Sequence, residues 1–588
     1  MTIQKLNKSI RFFVIKKGVY IIVGLFVLAC LVGIFYNFSI RDAVGDETQF
    51  MAAALRMIAN QDFRPDYATF LYYPIVVYVY IPFYILLLAF LWLSGLLSFP
   101  EIIELGRLDY AMLLPMARII SILFGVGSII LVYKISEKLF AKKVMALISA
   151  FLLASSLMFF QNAHFGKAWV PQIFFILLAF YYVVRFYYKA RISWKDYVIS
   201  ALLIGLSFSI HGIGIFVGAA FLAAIYFKEK GKGIFDKFIK NRKFWFSCAI
   251  IFSFYFLILF LNPYAFNNNN QNLKAAYNSF LDRTESSMQT KTVYGYSCGY
   301  NYLERANFYN RSLFNYEPIL LIIFIPSALL LIIKKRKRFF LIIATPLVYY
   351  LFITFLSVFW NRGCVPRYAL PIIPFISIIA GYGMYAFYNS NIFSRKIRVF
   401  SVFLLLSAFL CMPFLWDKAI ILPSTRLTAI KWIEDNIKEN SKILSIDGYV
   451  PLTPNKEAVA TVKEYNPSFV NQKYDYLINM NQSEYPSPSY YYTEARYYNN
   501  IPKDVRLKPD YLIIGWWTQK EKKNKFNNLQ DLGLDNIRLL KSFPDDASLD
   551  SIQFDIVDSM MKPWIALRYT LNNGYTGPVV FLYKIVED

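Results

Sequence analysis

The sequence predicts a polytopic α-helical membrane protein that ends in a soluble α/β domain, and three observations carry this reading. The 588 residues are 57% hydrophobic and 19% aromatic, and the apolar residues fall in runs near the roughly 20 residues that a helix needs to cross a bilayer. The positive charge falls between those runs. Of 62 Lys and Arg and 38 Asp and Glu, 28 basic and 4 acidic residues sit in six short clusters: Lys5 to Lys17, Lys134 to Lys143, Arg185 to Asp196, Lys228 to Lys243, Lys334 to Arg338 and Arg395 to Arg398. The other 34 basic and 34 acidic residues balance, so the net charge of +24 belongs to one side of the membrane. Short basic loops resist translocation, which makes that side cytoplasmic. Third, residues 417–588 lose the long apolar runs and alternate helical and strand-like patterns.

Alternating sides at each cluster gives about eleven spans: 18–37, 111–133, 144–161, 170–187, 197–210, 213–227, 244–262, 317–333, 339–358, 368–388 and 399–416. The N-terminus is then cytoplasmic and the C-terminus extracytoplasmic, as expected of a multi-pass plasma-membrane protein. The apolar run Tyr73 to Phe99 breaks the alternation, because its downstream flank (Glu101, Glu104, Arg107, Asp109) is net acidic. It is expected to begin and end outside, either as an outer juxtamembrane helix or as a re-entrant hairpin broken near Pro82. The stretch Tyr197 to Phe227 has basic flanks at both ends, so two short helices are expected to meet near Ser209-Ile210-His211-Gly212. Three segments fall outside: 38–110, the polar and turn-rich 263–316, and a domain of about 170 residues at 417–588. The domain opens on a helical pattern at Ser424 to Ile433 with a cap-like Ser/Thr. Strands are expected at Lys442 to Ile446, Tyr511 to Ile514 and Val579 to Tyr583. The organisation is thus 1–416 transmembrane and 417–588 extracytoplasmic.

Composition also excludes several classes. The basic clusters flank apolar runs, so they mark topology rather than a nucleic-acid surface. The run Gly18 to Phe35 has a basic flank but no small-residue cleavage site, which makes it a retained anchor. Cys30, Cys248 and Cys411 fall in apolar spans as small hydrophobes, while Cys298 and Cys364 fall outside, where a disulfide between them is open. With two histidines and no Cys/His spacing, a zinc site is not expected.

The residues that could carry chemistry collect in the outer turns. Asp46 and Glu47 are adjacent carboxylates just beyond the first span. Partial burial and like-charge proximity would suit one of them to proton abstraction, although on spacing alone a solvated loop start or a cap for the helix Thr48 to Ile58 accounts better for Asp46. The turn Gln161 to Trp169 places His164 and Lys167 three apart, on one face if helical. His211, at the other outer helix end, completes the histidines. The turn Asn361 to Pro371 supplies Arg362 and Arg367, whose guanidinium forks match phosphate oxygens, though an interfacial Arg that snorkels fits as well. A carboxylate with three cations suits transfer from a lipid-phosphate donor. A transporter would place its ionisable groups near mid-membrane, where this chain has chiefly Arg118.

An ordered set of motifs then resembles a known family. Asp46-Glu47 follows the first span, Tyr72-Tyr73-Pro74 opens the outer apolar helix, and Arg118 leads the second span. Gly205-Leu206-Ser207 to His211, Leu261-Asn262-Pro263-Tyr264 and Arg367-Tyr368-Ala369-Leu370-Pro371 to Pro374 complete it. Over about residues 10–390 the chain resembles the GT-C glycosyltransferases of the protein O-mannosyltransferase and lipid A aminoarabinose transferase group (glycosyltransferase family 39-like). The resemblance implies a GT-C-like bundle, a polyprenyl-phosphate-linked sugar as donor substrate, no other cofactor, and an inverting transfer at the outer face. It implies Asp46 as the acid that activates the acceptor, Glu47 as its neighbour, and Arg367 near the lipid phosphate with Arg362 and Lys167. His164, His211, Tyr368 and Tyr73 would line the pocket. Many members carry Arg-x-Asp where this chain has Lys167-Ala168-Trp169, which leaves acceptor class and any divalent metal open. His211 stands where members often have Lys or Tyr.

The expectation is an integral membrane glycosyltransferase acting on a hydroxyl of a protein, glycan or lipid acceptor, with membrane lipids as surroundings and no nucleic-acid partner. The alternatives are a lipid-linked glycan flippase or transporter, and an outer-face glycan polymerase or ligase.

Overall fold

Apolar runs bounded by Lys and Arg form helices, because a chain in lipid must satisfy its backbone within one segment. The computed structural model describes residues 3–34, 47–61, 75–98, 101–102, 113–228, 233, 235–261, 302–355, 365–467, 472–498, 501–502, 508–516, 519–531, 534, 536–545 and 563–586. These divide into two compact units, one within Met1–Ile34, Asp46–Leu87 and Pro115–Asp417, the other within Phe35–Gly45, Leu88–Leu114 and Lys418–Asp588.

The first unit is helical. In chain order its helices are α1 (Ile3–Val32), α2 (Glu47–Asn60), α3 (Ile75–Leu93), α4 (Leu114–Phe140), α5 (Lys143–Ala154), α6 (Leu157–Ala163) and α7 (Trp169–Tyr188). They continue with α8 (Trp194–Ile210), α9 (Val217–Lys228), α10 (Arg242–Leu261), α11 (Tyr302–Tyr316), α12 (Pro318–Phe355), α13 (Ile373–Tyr388) and α14 (Arg395–Ile420). Among the described residues, six helices are long and apolar enough to cross a membrane, or seven if α5 and α6, bent 63° at their break, form one span. The described part of each of the eleven expected segments is mainly helical, while six or seven helices qualify as spans by length and composition. Two of the eleven lie in α12, which Lys335 divides by a single non-helical residue inside the basic cluster.

Of the two readings for the run after Tyr73, the helix is present and the hairpin is corrected. The run forms one helix, α3, continuous through Pro82, so no hairpin breaks there. It is also one of the six helices able to cross by length and composition. The expected break at His211 is present: α8 stops at Ile210, and a tight turn over Gly212–Phe216 leads into α9. Gly214 is needed there, since a Cβ would lie 2.2 Å from the Ser207 carbonyl oxygen. The expected loop 263–316 is corrected at its end, where 302–316 is the helix α11; residues 263–301 lie outside the described set, as do Cys298 and Cys364.

Aromatic and basic side chains tie the helix ends that carry the basic clusters. The Tyr188 hydroxyl donates to the Leu139 carbonyl at 2.9 Å, and the Arg338 guanidinium lies 5.8 Å from the Phe140 ring and 5.9 Å from that of Tyr188.

The second unit holds a five-stranded sheet, β1 (Lys442–Ser445), β2 (Tyr491–Glu494), β3 (Tyr511–Trp516), β4 (Ile537–Phe543) and β5 (Val579–Ile585), in the order β2-β1-β3-β5-β4. The first three strands are parallel and the last two pair antiparallel. Both faces are buried: Ile443, Ile513, Val580 and Leu582 pack on one side with helix α15 (Thr425–Asn436), and Leu444, Leu512, Ile514 and Phe581 on the other. The expected Ser/Thr cap at its start works differently: Ser424 makes no side-chain cap bond, and the Thr425 hydroxyl donates instead to the Pro578 carbonyl at 2.6 Å. Strands β2 and β4 were not foreseen.

At the carboxyl ends of the parallel strands lies a buried polar network. Asp447 accepts from the Gly515 N–H at 2.6 Å and the Tyr449 N–H at 2.8 Å, and Lys525 Nζ stands 3.2 Å away. Lys525 also pairs with Glu521 at 2.7 Å. Burial pushes the Asp447 carboxyl above its ordinary range, and Lys525 and the two N–H groups pull it back. A carboxylate raised on folding loses stability as pH rises through its folded pKa. Lys525→Met removes the counter-charge and is expected to cost about 3 kcal/mol at neutral pH. The loss should shrink at acid pH, where the carboxyl is protonated in both states. Melting curves of the full chain at two pH values check this; an equal loss at both would refute it.

Candidate active site

A guanidinium inside an apolar bundle is expensive unless its charge and donors are matched. Arg118, near the start of α4, is buried, and the carboxylate that matches it is Glu47, the first residue of α2. Arg118 Nε donates to Glu47 Oε1 at 2.7 Å and Nη2 to Oε2 at 3.1 Å, while Nη1 donates to the Ile34 carbonyl at 2.8 Å. Glu47 Oε1 also accepts the Gly166 N–H at 3.0 Å. The Tyr80 hydroxyl of α3 donates to the Gly166 carbonyl at 3.3 Å. One carboxylate thus joins the end of α1, α2, α4 and the turn between α6 and α7. Gly166 itself permits this, because a Cβ would come within 2.4 Å of the Ala117 Cβ.

The turn carries His164, Lys167 and Trp169, all buried. His164 Nδ1 lies 2.9 Å from the Phe160 carbonyl oxygen, a contact that requires a proton on Nδ1. Its Nε2 faces Asp417 Oδ1 of α14 at 3.4 Å. Trp416 and Phe160 hold the imidazole edge-on at 4.5 and 4.6 Å between centroids. Lys167 Nζ lies 5.7 Å from the Phe165 ring.

Trp169 is the hub of the remaining contacts. Its ring lies 5.4 Å from that of His211 and 5.4 Å from that of Tyr368, and the Arg367 guanidinium sits 5.9 Å from its centroid. The Tyr349 hydroxyl donates to the Tyr368 carbonyl at 2.6 Å and so fixes the turn over Pro366–Ile372 that carries Arg367. His211 Nδ1 accepts the Ile213 N–H at 3.4 Å.

The structure therefore brings together Glu47, His164, Lys167, His211, Arg367 and Tyr368, and Gly166 and Trp169 are only three residues apart in the chain. Asp46, Tyr73 and Arg362 lie outside the described residues. Every contact above joins helix ends remote from the basic clusters. The sequence reading missed Asp417 and Glu317. Glu317, just before α12, is buried and accepts from the Ser156 hydroxyl at 2.6 Å and the Met158 N–H at 3.0 Å, where the break between α5 and α6 frees backbone donors. A lone Glu before a Pro gave no signal of this. Among the described residues, no group of three or more His, Cys, Asp or Glu could hold a metal ion.

Arg118→Met strands the Glu47 carboxylate in the bundle and is expected to cost about 3 kcal/mol or more. The double variant with Glu47→Gln should recover part of that loss, because the uncompensated charge is gone. Thermal melting in detergent checks both; a double variant no more stable than Arg118→Met alone would show that the charge is not what matters.

Residues 114–259 match the family model described as dolichyl-phosphate-mannose-protein mannosyltransferase. Among solved structures, the chain is similar to ArnT from Cupriavidus metallidurans bound to undecaprenyl phosphate, with a TM-score of 0.46, 13% identity, and 88% of this chain and 95% of that one covered. It is also similar to the oligosaccharyltransferase AglB from Archaeoglobus fulgidus in complex with an inhibitory peptide and a dolichol-phosphate, with a TM-score of 0.44, 13% identity, and coverage of 85% and 70%. No curated protein sequence matches the chain. Through the segment that runs from the start of α4 into α10, the chain is similar to the dolichyl-phosphate-mannose-protein mannosyltransferase family.

Proposed function

We propose that the protein is an integral membrane glycosyltransferase that moves a sugar from a polyprenyl-phosphate-linked donor to an acceptor hydroxyl at the extracytoplasmic face, with inversion. The single observation that carries this reading is the clustering around Trp169. A cationic, aromatic corner (Arg367, Tyr368, His211, Lys167) and the anchored start of α2 meet at one turn, at the end of the bundle away from the basic loops. The family description, which names a dolichyl-phosphate sugar donor, supports the donor class. The arrangement of basic clusters supports a cytoplasmic N-terminus and an outer C-terminal unit.

The roles divide by chemistry. Glu47 has both oxygens committed to Arg118 and one also to Gly166, which suits it to hold the start of α2 rather than to take a proton. Asp46 precedes it and is the proposed base. As the acceptor oxygen attacks the anomeric carbon, Asp46 takes the hydroxyl proton, the bond from that carbon to the phosphate oxygen breaks, and its electron pair stays on the phosphate. Arg367 and Lys167 offset the charge that develops there. One attack from the face opposite the leaving group inverts the centre without a covalent intermediate.

Purified protein offered a panel of polyprenyl-phosphate sugars should release polyprenyl phosphate from at least one of them; no turnover of any would count against the reading. Asp46→Asn is expected to lower transfer about a thousandfold with membrane insertion unchanged. Arg367→Ala should raise the donor KM about tenfold and leave the acceptor KM in place. An unaltered donor KM would remove Arg367 from the phosphate.

A further inference from the structure

The helix ends that carry the basic clusters hold more charge than they neutralise. Lys134 to Lys143, Arg185 to Asp196 and Lys334 to Arg338 supply four, four and five Lys and Arg, against Glu137 and Asp196 alone. Asp196 is already engaged: it accepts from Lys189 Nζ at 2.7 Å and from the Ser193 N–H at 2.7 Å. Lys142, Lys143 and Lys334 to Lys337 are exposed, and Arg338 is half-buried. Among the described residues, the ion pairs of the helical unit are Glu47 with Arg118, His164 with Asp417 and Lys189 with Asp196, and none of them reaches these side chains.

These charges are gathered rather than scattered. The Arg338 guanidinium lies 5.8 Å from the Phe140 ring at the end of α4 and 5.9 Å from the Tyr188 ring at the end of α7. The Tyr188 hydroxyl donates to the Leu139 carbonyl at 2.9 Å, and Phe140 stacks on Tyr382 of α13 at 5.0 Å. Lys142 and Lys143 follow Phe140 by two and three residues, so two basic clusters close on the guanidinium of the third. A topology signal needs only the charge of each loop. It requires neither the meeting of separate loops nor an Arg seated between rings of two other helices. Like charges held together repel, and an anion bound among them relieves that repulsion.

The surface beside the cluster is apolar. Ile322, Ile325, Leu329 and Ile333 recur at helical spacing along the first half of α12 and are exposed, Ile333 at 81%. The stripe ends where Lys334 begins the cluster. On the other side Phe340 is exposed, with the Arg336 guanidinium 5.7 Å from its ring. A molecule that fits this surface carries a negative headgroup and long apolar chains.

We propose that this corner binds the phosphate headgroup of an anionic phospholipid of the phosphatidylglycerol kind, with its acyl chains along the Ile322 to Ile333 stripe of α12. Arg338, oriented by the Phe140 and Tyr188 rings, offers the guanidinium fork that matches phosphate oxygens. Lys142, Lys143 and Lys334 to Lys337 add the surrounding positive field, and basic side chains next to a lipid surface attract anionic headgroups in this way. A free phosphate would use the charges and leave the apolar stripe uncovered, which favours the lipid.

The test is native mass spectrometry of the full chain in a non-ionic detergent, titrated with dioleoylphosphatidylglycerol, with dioleoylphosphatidylcholine and inorganic pyrophosphate as separate arms. The anionic lipid is expected to bind about tenfold or more tightly than the choline lipid. Arg338→Ala combined with Lys142→Gln should weaken the anionic lipid about tenfold, whereas Arg242→Ala, an exposed basic residue of another cluster, should leave it unchanged. Arg338→Gln alone should fall between, and it serves as the reading if the double variant does not fold. Equal binding of the two lipids would overturn the site. So would an Arg242→Ala loss as large as that of the double variant, because a diffuse positive field would then explain the binding. Pyrophosphate bound as tightly as the anionic lipid would make this a free-phosphate site and overturn the lipid assignment.

Discussion

The buried pair of Glu47 and Arg118 is the constraint on which the rest of this end of the bundle depends. Taking two charges out of water is unfavourable by several kcal/mol per ion, and only near-complete hydrogen bonding makes such a pair tolerable. Here the matching is close to complete. The carboxylate receives Nε, Nη2 and the Gly166 N–H, and the remaining fork of the guanidinium reaches the Ile34 carbonyl. Because each bond goes to a different segment, the pair converts an electrostatic requirement into a geometric one. The start of α2, the end of α1 and the turn at Gly166 must sit where the guanidinium can satisfy them together.

A second constraint works from the other end of the helices. The contacts of Phe140, Tyr188 and Arg338 hold helix ends that carry basic clusters together. Among the described residues, several helices that leave that layer carry a polar or charged residue at or near the opposite end: Arg118, His164, His211, Glu317, Arg367, Asp417. Burial of Arg118, His164 and Glu317 lowers the dielectric in which their charges act.

How much of this was legible in the sequence follows from the range of each interaction. Helix positions and the break at His211 were readable, because they depend on local composition and on glycines that admit a close backbone approach. The nearness of Trp169 to His211 and Arg367 agrees with the expectation that those turns lie at one end of the bundle. The pairings were not. Glu47 and Arg118 are 71 residues apart and Ser156 and Glu317 are 161 apart, and no periodicity links such positions. The helix α11 was hidden because its buried face is built of Arg, Ser and Tyr as much as of Phe and Leu. In the sheet, β4 escaped notice because Arg538 and Lys541 interrupt its apolar pattern, and β2 because Tyr491-Tyr492 sits in a tyrosine-rich, turn-like stretch.

The distribution of acids around the turn also bears on which one can do chemistry. Two of the buried carboxylates answer the same need: Glu47 takes the N–H of Gly166 where the turn is tightest, and Glu317 takes the N–H of Met158 where α5 breaks from α6. Backbone donors freed in an apolar bundle must find acceptors, and a carboxylate does this better than a carbonyl because it also favours the positive end of a helix. The third, Asp417, faces His164. A group already engaged in this way loses those bonds on protonation, so its use as a base would loosen the turn at each cycle. A base that turns over must instead be an acid whose protonation leaves the framework intact. Asp46, the proposed base, comes one residue before the anchored Glu47 in the chain.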